Sequence, residues 1–112
     1  MAATKKYCFA LDLKPDSVSI AAYEAHHRAV WPGIIKSLDA AGVKHMEIYR
    51  TGNRLFMIIE AGEDFSLENK KQLDAANPLV KEWEELMWRY QQSLPGALPG
   101  ERWVLMNKIF SV

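Results

Sequence analysis

Val43-Lys44-His45-Met46-Glu47-Ile48-Tyr49-Arg50-Thr51-Gly52-Asn53-Arg54-Leu55-Phe56-Met57-Ile58-Ile59-Glu60 reads as two strands, Val43 to Arg50 and Arg54 to Glu60, around Thr51-Gly52-Asn53. A short turn with Gly and Asn between two apolar runs marks an antiparallel hairpin. On its N-terminal side, Ser17 to Ala41 has helical spacing, with Ile20, Tyr23, His27, Val30, Ile34, Ile35 and Leu38 on one face. Pro32 has no N–H and its ring clashes with the preceding turn, which predicts a kink or break between Ala29 and Trp31. Gly42 closes this element as the residue just past the helix end. Before it, residues 6–13 alternate Tyr7, Phe9, Leu11 and Leu13 against Cys8, Ala10 and Asp12, the period of a strand. Lys14-Pro15-Asp16 ends that strand, and Ser17 is the expected N-cap of the helix.

On the C-terminal side of the hairpin, a polar helix is expected from Ser66 to Ala75 and a second helix from Pro78 to Ser93. Proline is favoured in a first turn, and the second helix has an apolar stripe of Leu79, Trp83, Leu86, Met87 and Tyr90. Leu94 to Gly100 is a loop by its Pro and Gly content, and Trp103 to Phe110 alternate as a last strand. The order β-α-β-β-α-β is the ferredoxin-like split unit, an α+β fold in one domain spanning residues 1–112. Helices on one face leave the other face of an antiparallel sheet bare. These strands are apolar on both faces, so a homodimer packing sheet to sheet is expected, as in a dimeric α/β barrel.

The 14 basic and 14 acidic side chains cancel, and no basic stripe favours nucleic acid. The apolar stretches are too short to cross a bilayer, and no signal peptide is visible, so no membrane partner is expected. A single cysteine, Cys8, forms no internal disulfide and suits a reducing, cytoplasmic setting; its apolar neighbours suggest a buried structural thiol. No phosphate-cradling Gly loop, metal-ligand spacing or serine nucleophile elbow occurs. His26 and His27 are adjacent and point apart, and His45 lies on a strand as an exposed residue.

The chemistry-bearing pattern is Tyr23, His27 and Trp31, four residues apart, with Pro32 following. That spacing stacks a phenol, an imidazole and an indole on one helical stripe. Such a stripe could hold a small polar molecule and move a proton on it, since an ordinary imidazole titrates near neutrality. Taken alone, the pattern is more often that of core packing than of a ligand site.

With these residues the chain resembles the L-rhamnose mutarotase family. The likeness rests on Tyr23-x-x-x-His27, Trp31-Pro32, the strand ending Ile48-Tyr49, the Leu55-Phe56 strand, Trp83 on the late helix and an aromatic last strand. It implies a ferredoxin-like dimer that exchanges the α and β anomers of a 6-deoxyhexose monosaccharide with neither cofactor nor metal. It further implies that His27 is the catalytic proton donor and that Tyr23 binds sugar. Met46 stands where the rhamnose-type pattern has tyrosine, and Glu84 replaces the second residue of a Trp-Trp pair. Those departures bring L-fucose in beside L-rhamnose as the implied substrate. Glu84 or Tyr49 is the expected second acid/base, with Met46, Trp83 and Trp31 completing the sugar contacts. Two other readings remain on the same architecture: a cofactorless oxygenase of the dimeric α/β-barrel kind, and a non-enzymatic dimeric binding module.

Overall fold

The computed structural model describes residues 4–112. Their secondary structure runs β1 (Thr4–Leu13), α1 (Ser17–His27), α2 (Pro32–Ala40), β2 (Val43–Thr51), β3 (Arg54–Gly62), α3 (Leu67–Ala75), α4 (Pro78–Trp88), β4 (Gln91–Gln92) and β5 (Val104–Leu105). The strands form one antiparallel sheet in the order β2-β3-β1-β4, with β5 also on β1. This is the expected ferredoxin-like arrangement. The hairpin pairs Ile48 with Met57 and Tyr49 with Phe56, and β3 then pairs along the length of β1. β2 is left as an outer strand and carries a register irregularity between Val43 and His45.

Proline breaks the first helical stretch as expected. Trp31 is extended, with φ −57° and ψ 133°, and Pro32 opens α2 in the first-turn position that its missing N–H suits. The cap of α1 lies one residue earlier than Ser17. Asp16 accepts from the Ser19 amide at 2.8 Å and from its hydroxyl at 2.9 Å, which a serine at position 17 cannot do from within the first turn.

Two further boundaries differ from the expectation. α4 ends at Trp88, before Ser93, because Gln91 and Gln92 pair with Leu13 and Asp12 of β1. The last strand is confined to Val104–Leu105, paired with Ala10 and Phe9, while Ile109 and Phe110 are exposed. Cys8 is half-buried.

The helix-facing side of the sheet, Phe9, Leu11, Leu13, Leu55, Met57, Ile59 and Ala61, is the core. Tyr23 and Ile34 close over it from the first helix pair, and Val80, Trp83 and Met87 do so from α4. A Cβ at Gly33 would overlap Leu79 Cδ2, so α2 and α4 cross at close range there. Strand alternation sends Met46, Ile48 and Arg50 to this side and His45, Glu47 and Tyr49 to the other. Consistent with that, Tyr49 donates to Glu47 Oε2 at 2.9 Å, and His45 lies 3.8 Å from Glu47. α4 begins with a side-chain cap, Asn77 Oδ1 accepting from the Leu79 amide at 3.0 Å. Asn77→Ala is expected to cost about 1 kcal/mol, read from the midpoint of urea denaturation at unchanged slope.

Candidate functional site

Between the sheet and the helices lies an open cavity of about 780 Å³. Its floor is Met46, Ile48 and Met57, and His27 and Tyr23 enter from α1. Trp83 and Glu84 come from α4, Lys70 and Asp74 from α3, and Arg102 and Trp103 from the segment before β5. Tyr23, His27, Met46, Trp83 and Glu84, all expected at a site, thus share one cavity. The structure does not bring the other two to it. Trp31 packs edge-on against Trp83, ring centroids 5.0 Å apart at 71°, and supports that indole from behind. Tyr49 borders a smaller depression of about 400 Å³, which it shares with Tyr23, His27, Glu24 and Arg50, and its phenol donates to Glu47.

His27 is held in one orientation. Its Nδ1 lies 2.8 Å from the Tyr23 carbonyl oxygen, which can only accept, so Nδ1 carries a proton. The Tyr23 ring lies 4.4 Å away at 35°, and the Trp83 ring 5.7 Å away at 70°. In the neutral ring, Nε2 therefore offers a lone pair. Burial disfavours the imidazolium and lowers its pKa; the Tyr23 carbonyl opposes this and the neighbouring His26 adds to it. The consequence is a neutral base near pH 7. In an NMR titration, His27 is expected to show Nδ1–H as the neutral tautomer and to protonate below the ordinary imidazole value of about 6.5. Protonation at or above that value would contradict this environment. His26 faces elsewhere, with Nε2 3.4 Å from the Tyr90 hydroxyl.

Tyr23 is buried, and burial pushes its phenol up to about 12, so it serves as a neutral hydrogen-bonding group. Gln91 Nε2 donates to its oxygen at 3.3 Å. Glu84 lies at the cavity rim. Desolvation first, and then the charge of Asp74, raise its carboxyl pKa, while Lys70 and Arg102 oppose the shift. Beside it Lys70 and Asp74 form an ion pair of 2.6 Å on successive turns of α3. The Arg102 guanidinium carbon stands 4.7 Å over the Trp88 ring. The cavity thus combines a neutral imidazole base, a carboxyl that holds its proton more readily than usual, a phenol and an indole face. Among the described residues, no group of three His, Cys, Asp or Glu side chains could hold a metal ion. No described helix is long and apolar enough to cross a membrane.

Sequence reasoning missed Gln91 and Trp103 as cavity residues. Trp103 carries an aromatic signal at the start of the last strand, whereas Gln91 has none, since the helical pattern runs through it.

A family model described as L-rhamnose mutarotase matches residues 6–112. The chain is 44% identical over 110 residues to an L-fucose mutarotase of Xanthomonas campestris pv. campestris, covering 96% of this chain and 88% of that protein. Its fold resembles the crystal structure of an L-rhamnose mutarotase from Formosa agariphila, with a TM-score of 0.72 at 22% identity over 96% of this chain and 98% of the other. It also resembles tetracenomycin F2 cyclase of Streptomyces glaucescens, a type-II polyketide cyclase, with a TM-score of 0.59 at 19% identity over 96% of each chain. At such identities these two likenesses concern the fold alone.

Proposed function

The chain belongs to the L-rhamnose mutarotase family, and from that footing we propose that this carbohydrate isomerase exchanges the anomers of L-fucose in preference to those of L-rhamnose. The observation that carries the choice of sugar is the 44% identity with a relative named for L-fucose. Met46 and Glu84 in the cavity support it, because they replace a phenol and an indole with a thioether and a carboxyl beside the same histidine.

Anomer exchange opens and recloses a hemiacetal. The anomeric O1–H gives its proton to His27 Nε2, and the electron pair left on O1 forms the C1=O bond. The C1–O5 bond breaks, its pair goes to O5, and O5 takes a proton from the Glu84 carboxyl. Rotation about C1–C2 presents the other carbonyl face, and the same transfers run in reverse. His27 enters as a base held by Tyr23; the same ring donates the proton back on closure, which reconciles it with the expected donor role. Desolvation and Asp74 raise the Glu84 pKa above the ordinary carboxyl value, which enlarges the protonated fraction that this step draws on. Trp83 offers an apolar face to the sugar C–H groups, and the Tyr23 phenol a hydrogen bond. Trp31 and Tyr49 act outside this contact set.

We assign the active form as a homodimer in the cytoplasm. The exposed Leu105, Met106, Ile109 and Phe110 favour association with a second copy, and the single cysteine suits a reducing compartment. The hydrogen-bonding groups around His27 favour a hydroxyl-rich ligand over the polycyclic substrate of an oxygenase. Saturation-difference NMR of equilibrated sugars tests the substrate: catalysed exchange should be at least about tenfold more efficient for L-fucose, a discrimination of about 1.4 kcal/mol. Equal or faster exchange of L-rhamnose would refute it.

A further inference from the structure

Of the two buried polar side chains among the described residues that the mechanism above leaves unused, Asp12 is paired with Arg54 and Gln91 lines the cavity. Gln91 is 5% exposed, pairs along the strand with Leu13, and lines the cavity together with Tyr23, Trp83 and Met87. Placing an amide there is costly unless each end finds a partner. The structure gives the side chain one hydrogen bond, from Nε2 to the Tyr23 oxygen. No fully buried side-chain N or O among the described residues lacks a partner, so Oε1 retains open space, and the space beside Gln91 is the cavity. Its position is equally specific. β4 is only two residues long, and the pairing of Gln91 with Leu13 turns the chain out of α4 and sets the amide beside α1.

We propose that Gln91 is a specificity-determining residue of the sugar site, whose amide accepts a hydrogen bond from one ring hydroxyl while orienting the Tyr23 phenol toward another. With its lone pair occupied by Nε2–H, the phenol directs its own proton away from Gln91 and toward the ligand. The two side chains then read neighbouring positions as one donor–acceptor unit. A site built to pair with a substrate hydroxyl discriminates strongly, because the wrong epimer leaves the buried amide unpaired. L-Fucose and L-rhamnose differ in configuration at C2 and C4, so one such contact separates them.

This inference rests on the mutarotase reading of the same cavity, and the experiment keeps the two apart. Anomer exchange is measured by saturation-difference NMR for L-fucose, L-rhamnose and singly deoxygenated 6-deoxyhexoses. The proteins are the wild type, Gln91→Leu and Gln91→Glu, with thermal midpoints recorded for each. Catalysed exchange by the wild type upholds the mutarotase reading, and its absence overturns that reading and this inference together. With an active wild type, Gln91→Leu should lower kcat/KM about ten- to hundredfold for the better sugar, mostly through KM, and compress the ratio between the two sugars. For the analogue lacking the contacted hydroxyl, the same substitution should have little effect. Gln91→Glu keeps the shape and an acceptor but draws the phenol proton onto its carboxyl, so at a pH where its thermal midpoint shows a folded protein it should lose discrimination. A uniform loss for every sugar, or an unchanged ratio in folded Gln91→Glu, would show that Gln91 merely packs.

Discussion

His27→Ala is expected to lower catalysed anomer exchange by about 10²–10⁴-fold, the usual contribution of one positioned proton-transfer group. The size follows from the geometry rather than from the presence of a histidine. Nδ1 is tied to the Tyr23 carbonyl, so the imidazole has one tautomer and one usable lone pair. Burial lowers its pKa, so less of its basicity is lost to protonation near pH 7 than for an ordinary imidazole. Removing it leaves Tyr23, a phenol raised to about 12, which cannot serve as a base near neutrality. The loss should appear in kcat, with sugar binding by ligand-observed NMR largely retained, because Tyr23, Trp83 and Gln91 still form the wall. His27→Gln, which can keep the Tyr23 carbonyl contact, should fold as well as wild type and be nearly as inactive. A His27→Ala protein within about threefold of wild type would remove His27 from the mechanism.

Trp83→Ala has the largest expected cost in stability, about 3–5 kcal/mol. The indole is 9% exposed and lies where Tyr23, Ile34, Leu55, Val80 and Met87 converge. Trp31 stands edge-on against it and both His26 and His27 touch it, so truncation also frees the groups that hold the catalytic ring in place. With typical domain stabilities of about 5–15 kcal/mol, such a loss should shift the urea midpoint strongly and lower the yield of folded protein. Trp83→Phe keeps part of the volume and should recover much of the stability. A loss below about 1 kcal/mol for Trp83→Ala would mean that neighbouring side chains collapse into the space.

The features legible in the sequence are those governed by near neighbours. The Thr51-Gly52-Asn53 turn fixes the hairpin, and Pro32 breaks the first helical stretch at Trp31 whatever the remainder of the chain does. The Tyr23–His27 stack follows from helical spacing alone. The end of α4 could not be read this way. Nothing local stops a helix at Trp88; the stop comes from pairing with Leu13, which is remote in sequence, and Gln91 owes its place in the cavity to that pairing. The last strand fails for the same reason in reverse: alternation continues to Phe110, but the pairing with β1 is limited to Phe9 and Ala10. Tyr49 is a different lesson. Met46 and Tyr49 are three apart on one strand, so period two sends them to opposite faces, and at this outer strand they line different hollows that share Tyr23 and His27.

The outer strand β2 also decides how copies of this protein can meet. An unpaired strand edge is a template on which further chains can add indefinitely, the route to fibrous aggregates. β2 blunts that route with exposed Lys44, His45, Glu47 and Arg50 and with the irregularity beside Val43, which disturbs the even row of amides and carbonyls that a new strand would need. Growth along the edge is thereby disfavoured, so a copy of this protein added strand to strand finds neither an even ladder nor an uncharged rim.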